Sequence, residues 1–410
     1  MSASAERTAT AAEVSRRAPL PVEVAEPIVF GSPAIGEEEI EEVVDTLRSG
    51  WLGTGPKTKR FEREFAEYVG CEYAVATNSC TAALHLALAA LGVGPGDEVV
   101  TTPLTFVATA NVIEHCRATP IFADVLREDG NIDPNRVDAV VGRRTKAILP
   151  VHYTGAPARV RQLRNRNPDL PIVVDAAHAV ELEYPDGSSS AAAGATCAAY
   201  SFYVTKNLTT AEGGMLVTED EDLAHDVRIR SLHGLDRDAW RRYAGGPAAH
   251  RTYEAVTAGF KYNMTDLQAS LGLHQLARIA RSHARRCEIW DRYNEAFADL
   301  RGIEVPPVSL QPRPNFRHAR HLYTLWFDWE ELGLDRRAVV ESLAERGVGV
   351  GWHFRAVHLH PFYREKYGFE PGSFPVAEEI SDRTLSIPLS PAVTDAQVDR
   401  VIAAVRSLAA

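Results

Sequence analysis

Beyond Glu37, short apolar runs alternate with longer stretches in which apolar residues return every third or fourth position. Ile40, Val43, Val44 and Leu47 have helical spacing and predict a helix from Glu37 to Ser49. Brief strand-type runs are predicted from Tyr73 to Thr77, Glu98 to Thr102, Pro120 to Val125, Lys146 to Val151, Pro171 to Val174, Ala198 to Phe202 and Met215 to Thr218. Helical stretches from Ala82 to Leu91 and from Phe106 to Glu114 fall between them. Such alternation predicts an α/β fold, in which crossover units surround a mostly parallel sheet and ligands gather at the carboxyl ends of its strands.

The pattern then changes. Thr265 to about Leu300 is predicted helical throughout, and Pro306 to Arg320, rich in proline and arginine, is predicted to be a loop. A strand from Leu322 to Trp329 and helices from Arg336 to Arg346 and Asp395 to Leu408 predict a smaller α+β unit. The expected organisation is a disordered leader over 1–26, a large domain over 27–280 and a small C-terminal domain over 281–410.

Composition narrows the class. The 410 residues are 45% hydrophobic and 24% charged, which is the make-up of an ordinary globular protein. A formal net charge of −11 argues against non-specific binding to nucleic acid or anionic membrane. The five cysteines are odd in number and contain no CxxC pair, so reduced thiols in a cytoplasmic protein are expected. None of the 14 histidines shows a ligand spacing on one helix, and no metal is expected.

Four stretches carry candidate chemistry. Tyr200-Ser201-Phe202-Tyr203-Val204-Thr205-Lys206 places one lysine among apolar and hydroxyl residues, where desolvation lowers an amine's pKa and favours Schiff-base chemistry. Val173-Val174-Asp175-Ala176-Ala177-His178 ends a buried run in an aspartate. Asn78-Ser79-Cys80-Thr81 lies between a strand and a helix, the arrangement that aims backbone N–H groups at a phosphate. Gly50-Trp51-Leu52-Gly53-Thr54-Gly55-Pro56-Lys57 is predicted to be a loop lining a site; Pro56 stands where a nucleotide-binding loop needs glycine. Lysine, buried carboxylate, phosphate turn and an aromatic after a strand are together what pyridoxal phosphate requires.

These stretches, with Glu212-Gly213-Gly214 and Lys261-Tyr262-Asn263-Met264-Thr265-Asp266, resemble the DegT/DnrJ/EryC1/StrS-type sugar aminotransferases, fold-type I pyridoxal-phosphate enzymes. The resemblance runs from about Ile28 to the C-terminus. It implies a large domain with a seven-stranded, mostly parallel sheet and a homodimer with shared active sites. Lys206 would hold pyridoxal 5′-phosphate and move the proton. Asp175 would pair with the pyridine nitrogen, His178 would lie beside the ring and Phe106 would stack on it. Ser79, Cys80 and Thr81 would bind the phosphate, with Ser201 adding a hydroxyl and Asn263 reaching across from the other subunit. Cys80 departs from the family's usual glycine or alanine, so only its backbone is expected to matter.

The implied reaction moves nitrogen from an amino-acid donor, usually glutamate, to a nucleotide-activated 4-keto sugar. A related branch that removes a hydroxyl instead carries histidine in place of the lysine, and Lys206 is present here. A 3-keto sugar or a cyclitol ketone fits the same motifs. A non-catalytic regulator on this fold would be expected to carry a DNA-binding module, which the leader is too short to supply. Candidates for the sugar nucleotide are Trp51, Lys57, His152, Tyr153, His318, His321 and His353.

Overall fold

The computed structural model describes residues 26–189, 193–236, 253–307 and 316–409. The expected leader, apart from Glu26, lies outside the described residues. Among the described residues, seven strands belong to the larger unit: β1 Tyr73–Thr77, β2 Glu98–Thr101, β3 Thr119–Phe122, β4 Thr145–Leu149, β5 Val173–Asp175, β6 Cys197–Ser201 and β7 Gly214–Thr218. They make a three-stranded ladder, β3-β2-β4, and a four-stranded one, β1-β7-β6-β5. Parallel bridges between Ile148 and Ile172 and between Val151 and Asp175 join the two. Strand β7 runs antiparallel to both of its neighbours, β1 and β6. The carboxyl ends of β5 and β6 therefore lie side by side, which sets Asp175 near the chain that follows Ser201.

Both faces of this sheet are covered, as its nearly continuous apolar strands require. Val174, Ala198, Tyr200 and Met215 pack on one face with Phe61 and Phe65. Their strand neighbours Val173, Cys197, Ala199 and Leu216 pack on the other with Leu84 and Leu88. A separate core joins residues 289–408, through Tyr293, Phe297, Leu325 and Val401, to a small sheet of β8 Ile303–Glu304, β9 Tyr323–Phe327 and β10 Thr384–Ile387. Ile28, from the other end of the described chain, belongs to that core too. All five cysteines are free thiols. No helix among the described residues is long and apolar enough to cross a membrane.

Helix α1 (Glu37–Ser49) follows its sequence signals: three glutamates sit in the first turn, and Gly50 closes it at φ 72°. The structure departs from expectation after Gly55. Helix α2 (Pro56–Val69) begins there, so Lys57 is helical rather than part of a loop. The cap of α2 comes from far along the chain. The buried Asp266 carboxylate accepts from Gly55 N at 2.8 Å, Lys57 N at 3.1 Å, Thr58 N at 2.9 Å and the Thr58 hydroxyl at 2.6 Å. The stretch predicted as one helix after Thr265 is two, Asp266–Ala277 and Ile279–Phe297, broken at Arg278.

A carboxylate that satisfies four donors and faces a helix N-terminus contributes well beyond a surface pair. We expect Asp266→Ala to cost about 2–4 kcal/mol in equilibrium unfolding, with Asp266→Asn milder because one acceptor oxygen remains. A loss of about 0.5 kcal/mol, the size of a neutral surface change, would contradict this account of the cap.

Candidate active site

At the carboxyl edge of the large sheet lies a cavity of about 490 Å³, walled by both units. The large unit contributes Ser79, Cys80, Thr81, Phe106, Asp175, His178, Ser201 and Lys206, and the segments flanking the small sheet contribute His321, His353 and Phe354.

Each wall has a local cause. Ser79 caps helix α3 (Cys80–Ala90), its hydroxyl accepting from Ala82 N at 3.1 Å, and the first-turn N–H groups of a helix have no partner within it. The turn lies directly on the start of β7. A Cβ at Gly214 would fall 2.4 Å from Ser79 C and 2.5 Å from Cys80 N, so position 214 must be glycine for the backbones to meet. Asp175 ends β5 and is buried. It accepts from the Thr109 hydroxyl at 2.8 Å and from Ala177 N at 3.1 Å, while the Cys80 thiol lies 3.9 Å away. All three partners are neutral. Burial raises the Asp175 pKa above the usual carboxylate range, against the hydrogen bonds and the charge of Lys206.

Lys206 follows β6 and touches the cavity on one side. Burial among protein groups lowers its amine from 10.5 to about 8, with Asp175 and Cys80 pulling the other way. Its nearest polar partner is His321 Nε2 at 3.5 Å. His178 packs its ring 4.4 Å from that of His321 and stacks on Phe354 at 5.8 Å, and its Nδ1 is buried without a partner. Phe106 precedes helix α4 (Val107–His115) and stays 59% exposed, an unusually open position for a large apolar ring.

Other expected residues fall elsewhere. Asn263 does not line this cavity; it pairs by a backbone bridge with Thr77, and its amide donates to the Thr54 hydroxyl at 2.7 Å. Lys57 is bound to Glu42 at 2.6 Å and Asp45 at 2.7 Å, so its charge is already matched. The Trp51 indole donates to Thr54 O at 3.2 Å. His152 and Tyr153 are buried: His152 Nδ1 accepts from Ala158 N, and the Tyr153 hydroxyl donates to His353 O at 2.6 Å. His318 is held away from the cavity, its Nδ1 accepting from Arg320 N at 2.8 Å. Sequence reasoning overlooked Thr109, although Thr105 and Thr109 stand one helical turn apart and share a 2.8 Å contact. Phe354 gave no signal at all.

Residues 33–406 match the DegT/DnrJ/EryC1/StrS aminotransferase family. The chain belongs to that family. The spore coat polysaccharide biosynthesis protein SpsC of Bacillus subtilis is 47% identical over 382 residues, covering 92% of this chain and 96% of SpsC. Among solved structures, the putative sugar aminotransferase Spr1654 of Streptococcus pneumoniae in its PMP form superposes with a TM-score of 0.84 at 34% identity, over 93% of this chain and 99% of that one. Helicobacter pylori PseC, an aminotransferase of pseudoaminic acid biosynthesis, gives 0.84 at 26%, over 93% and 99%.

DegT/DnrJ/EryC1/StrS enzymes of this kind are pyridoxal-phosphate-dependent sugar aminotransferases, and this chain is one. Its cavity fits the cofactor on its own evidence. A buried carboxylate with only neutral partners suits a protonated pyridine nitrogen, and an orphaned imidazole nitrogen and a helix N-terminus await polar groups.

Two outcomes follow. In cofactor-free protein the Lys206 amine is charged below about pH 8 and neutral above it. Its modification by an amine reagent, mapped by peptide mass spectrometry, should therefore rise with pH through a midpoint near 8; a midpoint at 10.5 would contradict its burial. Removing the Thr109 donor should push the Asp175 pKa further up and leave less carboxylate to face a cation. Thr109→Val is expected to weaken pyridoxal phosphate about tenfold, read by absorbance titration, and an unchanged affinity would contradict that link.

Proposed function

We propose that this sugar aminotransferase transfers nitrogen from an amino acid, glutamate in the first instance, to a nucleotide-activated 4-keto sugar. The observation that carries the reading is Lys206, a half-buried amine of lowered pKa that shares one cavity with Asp175. The names of SpsC and PseC, a polysaccharide and an acidic-sugar biosynthesis protein, support an amino-sugar product. We further propose a homodimer in which Asn263 serves the neighbouring subunit's site. Its position beside Thr54 and Lys261, away from its own cavity, supports this. The division into domains at 280/281 is likewise a proposal, supported by the separate cores.

Bound pyridoxal phosphate supplies an electron sink for negative charge on the carbon beside the transferred nitrogen. The chain's residues do the rest. Lys206 would hold the cofactor covalently, and its amine, when free, would serve as the base for the proton that must move. In the cofactor-free chain burial lowers that amine to about 8, which suits it to take up and return a proton within the ordinary pH range. Asp175 would keep a proton on the pyridine nitrogen, Phe106 would cover the ring, and the α3 N-terminus with Ser79, Thr81 and Ser201 would bind the phosphate. His178 stays neutral, because burial holds its pKa well below 6.5, and it would meet the ring's oxygen without carrying charge. The apolar ring of Phe354 and the packed imidazoles of His178 and His321 stand beside the amine in the cavity wall.

The decisive experiment is a panel of nucleotide 4-keto and 3-keto sugars with glutamate, read by mass spectrometry. Amine appearing on a 4-keto sugar, and its loss in Lys206→Ala by at least about 10³-fold, is the expected outcome. Turnover confined to 3-keto sugars or cyclitol ketones would overturn the regiochemistry; full activity in Lys206→Ala would overturn the role of the lysine.

A further inference from the structure

Behind Lys206 runs a line of buried and half-buried polar groups that the roles above leave unused. His321 Nδ1 lies 3.0 Å from Asn207 Oδ1, the Asn207 amide nitrogen lies 2.7 Å from Glu181 Oε2 and 2.8 Å from Ala319 O, and Glu181 Oε1 is bonded to Arg286. Glu181 and Arg286 are 2% and 1% exposed. The line thus joins the active-site lysine, through its own chain neighbour, to an ion pair anchored on the helix Ile279–Phe297.

The identity of each partner fixes where the protons are. A carboxylate and a backbone carbonyl only accept, so the Asn207 NH₂ must face Glu181 and Ala319, and its oxygen must face His321. Flipping the amide would set oxygen against two oxygens. Since Asn207 Oδ1 only accepts, His321 must carry its hydrogen on Nδ1. A neutral imidazole with Nδ1–H has a bare lone pair on Nε2, and Nε2 is the atom next to the Lys206 amine. Burial keeps the ring neutral, reinforced by the neighbouring His178, Lys206, His353 and Arg286. The groups facing Lys206 itself are Asp175, Cys80, His178, His321 and His353.

We propose that Asn207 is a positioning residue that locks His321 into the tautomer whose bare Nε2 accepts a hydrogen bond from the Lys206 amine. The inference rests on Lys206 acting as the proton carrier of transamination and adds how it is held when free. Without Asn207 the ring is released to its other tautomer, which sets an N–H against the ammonium hydrogens. An acceptor bonded to the charged form favours that form. His321 therefore keeps Lys206 from falling to the still lower pKa that its dry surroundings would impose, and it aims the amine rather than leaving it to rotate.

The test uses full-length, cofactor-free protein and the pH profile of Lys206 modification, with melting temperature as the check on folding. Asn207→Leu and His321→Phe should each move the Lys206 midpoint down by about one pH unit, a tenfold change in acidity. His321→Gln, whose amide oxygen can replace Nε2 as acceptor, should restore most of it. A merely structural role would lower the melting temperature and leave the midpoint where it was, and that result overturns the proposal. Nitrogen NMR of histidine-labelled wild-type protein tests the same point without any variant: His321 should show a protonated Nδ1 and a bare Nε2 at neutral pH, and the reverse tautomer overturns the proposal. Neither measurement needs a sugar or a donor. An unchanged midpoint would sink this inference and leave transamination standing, whereas a failed ketosugar panel would leave the tautomer result intact.

Discussion

Desolvation at one edge of a sheet governs this protein. An ammonium and a carboxylate both resist transfer out of water, and here neither is relieved by a close ion pair: Asp175 has only neutral hydrogen-bond partners, and Lys206 faces an imidazole. Each is therefore driven towards its neutral form, the carboxyl up and the amine down. That tension is costly in a protein considered alone and useful in one that takes up a charged, protonated cofactor. The sheet supports it because parallel β5 and β6 end together, and because both of its faces are sealed by apolar side chains.

Around that edge, the two units play different parts. The large unit supplies groups suited to a fixed phosphate and ring: the capped turn at Ser79, Asp175 and the hydroxyl of Ser201. The segments flanking the small sheet supply His321, His353 and Phe354, the polar and aromatic wall opposite. The Glu181–Arg286 pair ties the two together beneath the lysine, buried where a broken partner would cost far more than a surface ion pair.

Much of this was legible in the residues. A lone lysine in an apolar and hydroxyl-bearing run, an aspartate closing a buried strand and a small polar turn before an Ala/Leu helix each carry local signals, and their order in a crossover fold places them on one edge. Helix α2 was missed for a physical reason. Its start looks like a glycine-rich loop, and the carboxylate that caps it is 211 residues away at Asp266. Lys57 was misplaced with it: its neighbours in sequence do not announce Glu42 and Asp45, which lie on another helix. Asn207 was overlooked beside the lysine for a similar reason. Its meaning depends on two acceptors, at 181 and 319, and one donor, at 321, and no periodicity encodes that.

The contact between Gly214 and the Ser79–Cys80 turn bears on how such a chain can change over time. Where a side chain crowds another side chain, a second substitution can make room. Here the atoms that a Cβ would strike are main-chain atoms, common to all twenty amino acids. No exchange at 79 or 80 offers relief, so position 214 has no neutral path away from glycine. Descent can rewrite the opposite wall of the cavity residue by residue, while the seam between strand and helix turn is passed on unaltered.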